Sequence, residues 1–166
     1  MRRFWMFFLV ATMLWTGTSV GYAEGRIRVT KALVHYLDLN GKHTLSPSPF
    51  ERDCYQAILR LNREKCSTMC FDIQWRNTLT DFGDDLTITV EARAGGVDSE
   101  VVSVTQPIRG KKSIWSHWTR VKLSEEDFER LQTVSAWRIL IRDGNDLVEE
   151  FRSFMWDPRP NPALIR

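Results

Sequence analysis

Ala136-Trp-Arg-Ile-Leu-Ile-Arg-Asp-Gly-Asn-Asp-Leu-Val-Glu-Glu-Phe-Arg-Ser-Phe-Met-Trp156 holds two apolar runs edged with charges and joined by Asp143-Gly144-Asn145-Asp146. Asp-Gly between strand-like runs signals a hairpin, because these residues tolerate the positive φ of a tight turn. In the first arm Trp137, Ile139 and Ile141 alternate with Arg138, Leu140 and Arg142, so one face is apolar and the other mixed. In the second arm Phe151 and Phe154 differ in parity, which predicts a β-bulge near Arg152-Ser153. Such a closing hairpin points to an antiparallel β-sandwich and to no particular reaction.

Working back from the hairpin, five more strands are predicted. Residues 26–39 form the first, with Ile27 and Val29 on one parity, Ala32, Val34 and Tyr36 on the other, and the change at Lys31. First strands of sandwiches can switch sheets at such a break. Asn40-Gly41 is the next turn, with residues 42–45 as a short return arm. Residues 71–76, 86–93, 100–107 and 118–123 follow. In the last of these, Thr119, Val121 and Leu123 oppose Trp118, Arg120 and Lys122. With both hairpin arms this gives seven strands at short spacing, which predicts an immunoglobulin-like or fibronectin-type sandwich.

One clear helix interrupts the strands at about residues 49–61. Ser48 can cap it, Pro49 suits its first turn, and Glu51 completes a capping box. Phe50, Cys54, Ala57, Ile58 and Leu61 recur at helical spacing opposite Asp53, Gln56, Arg60 and Arg63, so the helix is expected to lie on a sheet edge or plug one end of the core, with its apolar side buried. Ser124-Glu125-Glu126-Asp127 opens a shorter helical turn, about residues 125–131, with Phe128 and Leu131 inward.

The two ends of the chain are read as lying outside the fold. Arg2 and Arg3, the apolar run 4–14 and the small residues at Gly21-Tyr22-Ala23 describe a signal peptide, residues 1–23, cleaved before Glu24. The expected product is an exported, periplasmic or extracellular protein with no stable membrane anchor after cleavage. Residues 24–156 are read as a single domain, followed by a Pro-rich tail at 157–166.

Of the 23 basic residues two lie in the leader, so the remainder balances the 21 acidic ones. A neutral chain lacks the electrostatic footprint of a nucleic-acid binder.

Three cysteines, Cys54, Cys66 and Cys70, lie beyond the leader. The parity of Cys70 against Phe71, Ile73 and Trp75 predicts a Cys66–Cys70 bridge closing a turn at 67–69, with Cys54 a shielded free thiol. Their spacing matches no zinc pattern, and no metal or cofactor is expected. If the strands run in order, loops 80–85, 108–114 and 143–146 share one end. They would then gather Asp81, Asp84, Asp85, Asp143 and Asp146 beside Arg109, Lys111 and Lys112. Ion pairing within that cluster is expected over calcium binding, because the basic residues repel a cation at short range.

The run His35-x-x-Asp38-x-x-Gly41-x-His43-x-x-Ser46-Pro47-Ser48-x-x-Glu51-Arg52-Asp53-x-Tyr55-Gln56, followed by Phe71-Asp72-Ile73-Gln74-Trp75, resembles small secreted bacterial proteins with an immunoglobulin-like domain. The resemblance implies export and a sandwich fold. It brings no activity and no site residues.

Enzyme signatures are missing: there is no Gly-x-Ser-x-Gly elbow, no His-Glu-x-x-His and no Gly-rich phosphate loop. His43, Asp53 and Ser46 could be imagined as a triad, but sequence separation says nothing of geometry. The expectation is a non-enzymatic binding or accessory module whose partner is a protein or a glycan. The alternatives are a purely structural component of an envelope or secreted complex and, behind it, a hydrolase. The candidate ligand site is Ser113-Ile-Trp115-Ser-His117-Trp118, where two indoles and an imidazole meet at the junction of a loop and a strand. Trp118 has the outward parity of its strand, and exposed indoles stack well on flat apolar faces.

Overall fold

The computed structural model describes residues 27–78, 85–95, 99–109, 115–131 and 133–157. The expected leader, the last nine residues of the expected tail and most of the acidic and basic loops lie outside the described residues. Among the described residues seven antiparallel strands form two sheets. The first is three-stranded, in the order β1 (Ile27–Asp38), β2 (Cys66–Asn77), β5 (His117–Lys122). The second is four-stranded, with β3 (Leu86–Arg93) between β4 (Val101–Pro107) and β6 (Ala136–Asp143), and β7 (Asp146–Arg152) outside β6. Helix α1 (Pro49–Leu61) follows β1, and α2 (Glu125–Leu131) links β5 to β6. Over the described residues the chain is a mainly β, antiparallel sandwich of seven strands with two α-helices.

Alternating residues of both sheets meet in one core. Phe71, Ile73 and Trp75 of β2, Val121 of β5, Ile88 and Val90 of β3, and Ile139 and Ile141 of β6 are essentially inaccessible to solvent. Burying one such side chain contributes about 1.5–3 kcal/mol, so these rows hold the sheets face to face. Phe71 meets Trp137 edge-on at 6.1 Å across the core, and Trp137 tilts against Phe151 at 5.9 Å.

The closing hairpin forms at the residues that signalled it. Asp143 pairs with Asp146, and Gly144 adopts φ 56° at the turn. The bulge lies elsewhere than expected. Ile141 pairs with Glu149 and Arg142 with Leu147, so Val148 is the extra residue. The Phe151–Phe154 conflict has a different cause: β7 ends at Arg152, and Phe154 lies beyond the strand, 94% exposed. Ser153 closes the ladder, donating its N–H to the Trp137 carbonyl while its Oγ accepts from the Trp137 N–H. In β1 the register shifts between Val29 and Lys31, where the parity change was read. The strand nevertheless stays on β2 throughout and does not change sheets.

β2 corrects the cysteine reading. The expected turn at 67–69 is absent, because the strand is continuous from Cys66. Four extended residues span about 13 Å, beyond the ~7 Å limit between Cα atoms of a disulfide. Cys66 and Cys70 therefore cannot bridge in this fold, and all three thiols are free. Cys54, expected to be shielded, is exposed, while Cys70 is buried.

α1 begins where its cap predicts, with Ser48 Oγ accepting from the Glu51 N–H and Pro49 in the first turn. Its orientation is the reverse of that expected. Gln56 and Leu59 are buried, whereas Phe50 is 77% and Leu61 84% exposed. The cause is the edge of β1. The return arm 42–45 forms no strand, so the edge is met by a side chain instead. Gln56 Oε1 accepts from the Tyr36 N–H at 2.8 Å, and its Nε2 donates to the carbonyls of Tyr36 at 2.9 Å and His43 at 2.7 Å. One amide thus satisfies both backbone groups of an edge residue, as a neighbouring strand would. Asp38 fastens the same corner. Its carboxylate accepts from the N–H groups of Asn40 and Lys42 and from the Tyr55 hydroxyl, all at 2.8 Å. These bonds, the Lys42 N–H first among them, hold its carboxyl below the ordinary range.

Candidate functional site

The outer face of the three-stranded sheet gathers most of the polar chemistry among the described residues. Strand pairing sets its outward residues in three rows: Lys31–Gln74–Trp118, Leu33–Asp72–Arg120 and His35–Cys70–Lys122. Alternate residues share a face, so the rows stand about 7 Å apart along the strands.

Asp72 is the centre. Arg120 grips it with both ends of its guanidinium, Nε to Oδ1 at 2.6 Å and Nη2 to Oδ2 at 2.8 Å, and His35 Nδ1 lies 3.1 Å from Oδ2. Burial alone would raise the Asp72 carboxyl, but the hydrogen bonds from His35 and Arg120 and the charge of Arg120 hold it well below the usual carboxylate range. His43 stacks on His35 with ring centroids 4.9 Å apart. Burial, then the neighbouring His35 and Arg120, lowers the His43 pKa and favours the neutral ring. Since Gln56 holds the His43 carbonyl, α1 is tied through His43 and His35 to the Asp72–Arg120 pair.

His35, His43 and Asp72 each bring one potential metal-ligand atom within 4.8 Å of the others. Nitrogen and carboxylate donors suit zinc, but the arrangement does not converge on a point. The rings lie stacked at 26°, and Arg120 already occupies both oxygens of Asp72. An ion would have to turn one ring and displace a guanidinium. Nor does the cluster supply a nucleophile. Burial, with the Asp72 charge beside it, pushes the Cys70 thiol up to about 11, far from a thiolate at neutral pH. A depression of about 590 Å³ beside β4 and β5, lined by Thr68, Ser103, Lys122 and Asp127, is open, and Ser124 and Arg130 already engage Asp127.

The structure divides the candidate trio. Trp118 is 54% exposed and belongs to the outer face, beside Arg120 on its own strand and opposite Gln74. Trp115 is 74% exposed in the segment leading into β5. The neighbouring Ser116 Oγ accepts from Arg76 Nε at 2.9 Å, which ties that segment to β2. His117 belongs to the other side. Its ring stacks on the buried Trp75 at 4.7 Å, and its Nε2 is buried with no hydrogen-bond partner among the described residues. It is placed to support Trp75, not to meet a ligand beside the indoles.

Sequence reasoning singled out Trp118 but missed Asp72, Arg120 and Gln74 as its companions. Strand parity places each of them outward. Bringing them together needs the β2–β5 register, which no local pattern encodes.

No protein-family model matches the chain, and no curated protein does. Among solved structures it is similar to a crystal structure of a protein from Akkermansia muciniphila, with 12% identity and a TM-score of 0.50, over 77% of this chain and 69% of that one. At that identity the likeness shows the β-sandwich fold alone. No helix among the described residues is long and apolar enough to cross a membrane.

Proposed function

We propose that the chain is an exported, non-enzymatic binding module that takes a glycan on the outer face of its three-stranded sheet. The strand order supports a fibronectin III-like reading of the sandwich, with the first, second and fifth strands facing the other four. The observation that carries the functional reading is the Trp118 indole, half exposed on a rigid strand, with Gln74, Arg120 and Asp72 on the same face. An indole stacks on the apolar face of a sugar ring at small entropic cost. The amide, guanidinium and carboxylate beside it supply donors and acceptors for hydroxyl groups. Trp115 offers a second stacking surface from the loop. Arg120 and Asp72 hold each other in place, so a ligand would meet a preorganised polar pair.

Glycan-array and polysaccharide pull-down measurements on the exported protein test this, with peptide ligands as the comparison arm. The expected result is glycan capture that Trp118→Ala removes and Trp115→Ala weakens, with unfolding midpoints near that of the parent. Capture that survives both substitutions, or no glycan captured at all, would sink the reading. Capture of peptides alone would transfer the face to a protein ligand.

A further inference from the structure

The outward side of α1 is a helix-pairing seam without a partner inside the described fold. Phe50, Cys54, Ala57 and Leu61 follow one another at spacings of four, three and four residues, the a/d repeat of a coiled coil. All four are exposed, and Ile58 beside them is 47% exposed. At 100° per residue this stripe lies opposite the docked side formed by Tyr55, Gln56 and Leu59. The helix therefore presents two working sides: a polar one used on the β1 edge and an apolar one turned to solvent.

We propose that this seam pairs with α1 of a second copy of the chain, antiparallel about a two-fold axis between Cys54 and Ala57. Size and charge both argue for this occupant. In that register the two small residues cross at the centre, Cys54 against Ala57 of the other copy, and let the backbones approach. The two large ones meet at the ends, Phe50 against Leu61. Along one flank the helix carries Asp53 in its first half and Arg60 in its second. Antiparallel pairing sets Asp53 of each copy beside Arg60 of the other, giving two opposite-charge pairs, whereas parallel pairing turns this flank toward the partner's opposite flank, where Ile58 stands, and forms neither pair. Such flanking charges set partner choice and orientation in helix pairs. The contact is isologous, as a two-fold dimer requires. A seam of 13 residues is about 20 Å long and falls at the small end of specific interfaces. The dimer is accordingly weak, with a Kd on the order of tens of micromolar.

Sedimentation velocity of the exported protein over a concentration series tests the proposal. A reversible monomer–dimer equilibrium is expected. Leu61→Glu should weaken it at least tenfold (about 1.4 kcal/mol). Asp53→Arg alone should weaken it, and adding Arg60→Asp in the same chain should restore it. A short bismaleimide should join two chains through Cys54, since the axis brings the thiols within about 10 Å, one interhelical distance. Cys54→Ser should abolish the link. Far-UV circular dichroism should show each variant folded, because of these side chains only Arg60 reaches the docked strand, where its guanidinium rests 5.9 Å from the centroid of the Tyr36 ring and carries no hydrogen bond of the Gln56 clamp. A chain that stays monomeric to millimolar concentration overturns the proposal. So does a dimer indifferent to Leu61→Glu and to the charge exchange, which would lie on another surface.

Discussion

β2 and α1 are both amphipathic segments of about a dozen residues, and the fold treats them oppositely. In β2 the apolar parity Phe71, Ile73, Trp75 lies inside, and the alternate residues Asp72, Gln74 and Arg76 face outward. In α1 the apolar set lies outside, and the glutamine that looked like a solvent residue is buried. The difference lies in what each element must satisfy. A central strand has neighbours on both edges, so its backbone is already paired and its faces sort by hydrophobicity. A helix satisfies its own backbone, so its orientation is free to be set by a neighbour's unmet needs. Here the need is the unpaired N–H and carbonyl of Tyr36, and Gln56 meets it. Hydrogen-bond demand at one exposed strand edge outranks the apolar stripe of the helix beside it.

The contrast can be broken first at β2. Trp75 is 1% exposed and donates from Nε1 to Thr119 Oγ1 at 2.9 Å. Trp75→Ala removes a large core side chain and that bond, and should cost about 3–5 kcal/mol. Urea unfolding of the variant measures it, and a loss below about 1 kcal/mol would mean the core is not organised around this strand.

Gln56→Ala addresses the other side of the comparison. It leaves the Tyr36 N–H and carbonyl and the His43 carbonyl without partners at a buried corner, and should cost about 2–3 kcal/mol. Gln56→Leu, which adds apolar surface to the docked side, should cost nearly as much, because it cannot satisfy the strand edge. A stabilised Gln56→Leu protein would show that hydrophobicity, not hydrogen bonding, orients α1. Amide exchange should report the loss locally, at Tyr36.

A smaller effect is expected on the outer face of β2. Asp72→Asn replaces a carboxylate bound by Arg120 and His35 with a neutral amide, and should cost about 1–2 kcal/mol at neutral pH. The pH dependence has a definite sign. The folded carboxyl lies below its unfolded value, so its contribution is present above the unfolded pKa of about 3.9. It is lost as pH falls from there through the folded pKa. The parent should therefore lose stability faster than the variant below about pH 4, and the two unfolding curves should converge. Parallel curves down to pH 2 would mean the pair stabilises nothing.

The same contrast explains what could be read in advance. The strands of the sandwich are legible because period-two alternation is a local property, visible in Leu86, Ile88, Val90 and Ala92 without knowledge of partners. The extent of α1 is legible from Ser48 and Pro49, which act on their own backbone. Its orientation is not, because the decisive contact joins Gln56 to a strand 20 residues earlier. The cysteines mislead for a related reason. Ser67-Thr68-Met69 can turn or extend, and pairing with Leu37, Tyr36 and β5 decides for extension. The outward parity of Trp118 is readable, but the Asp72–Arg120 clamp beside it is a product of register between distant strands.

The smallest effect is expected where apolar residues are replaced on the outward side of α1, and it is the sharpest test of the comparison. If the apolar stripe faced the sheet, Phe50→Ser and Leu61→Ser would each remove a core contact and cost about 2 kcal/mol or more. In the structure both side chains are largely in solvent. Each substitution should then shift the unfolding free energy by no more than about 0.5 kcal/mol, measured dilute enough that the chain is monomeric. Alkylation of Cys54 belongs to the same test. Its exposed thiol should react in the native protein while Cys70, buried and with its thiol pushed up to about 11, reacts only on unfolding. The Cys54 adduct should melt where the unmodified protein melts, since nothing among the described residues packs on that side. If either serine variant loses about 2 kcal/mol in dilute solution, or native Cys54 resists the reagent, α1 docks by its apolar side after all. The contrast with β2 would then disappear.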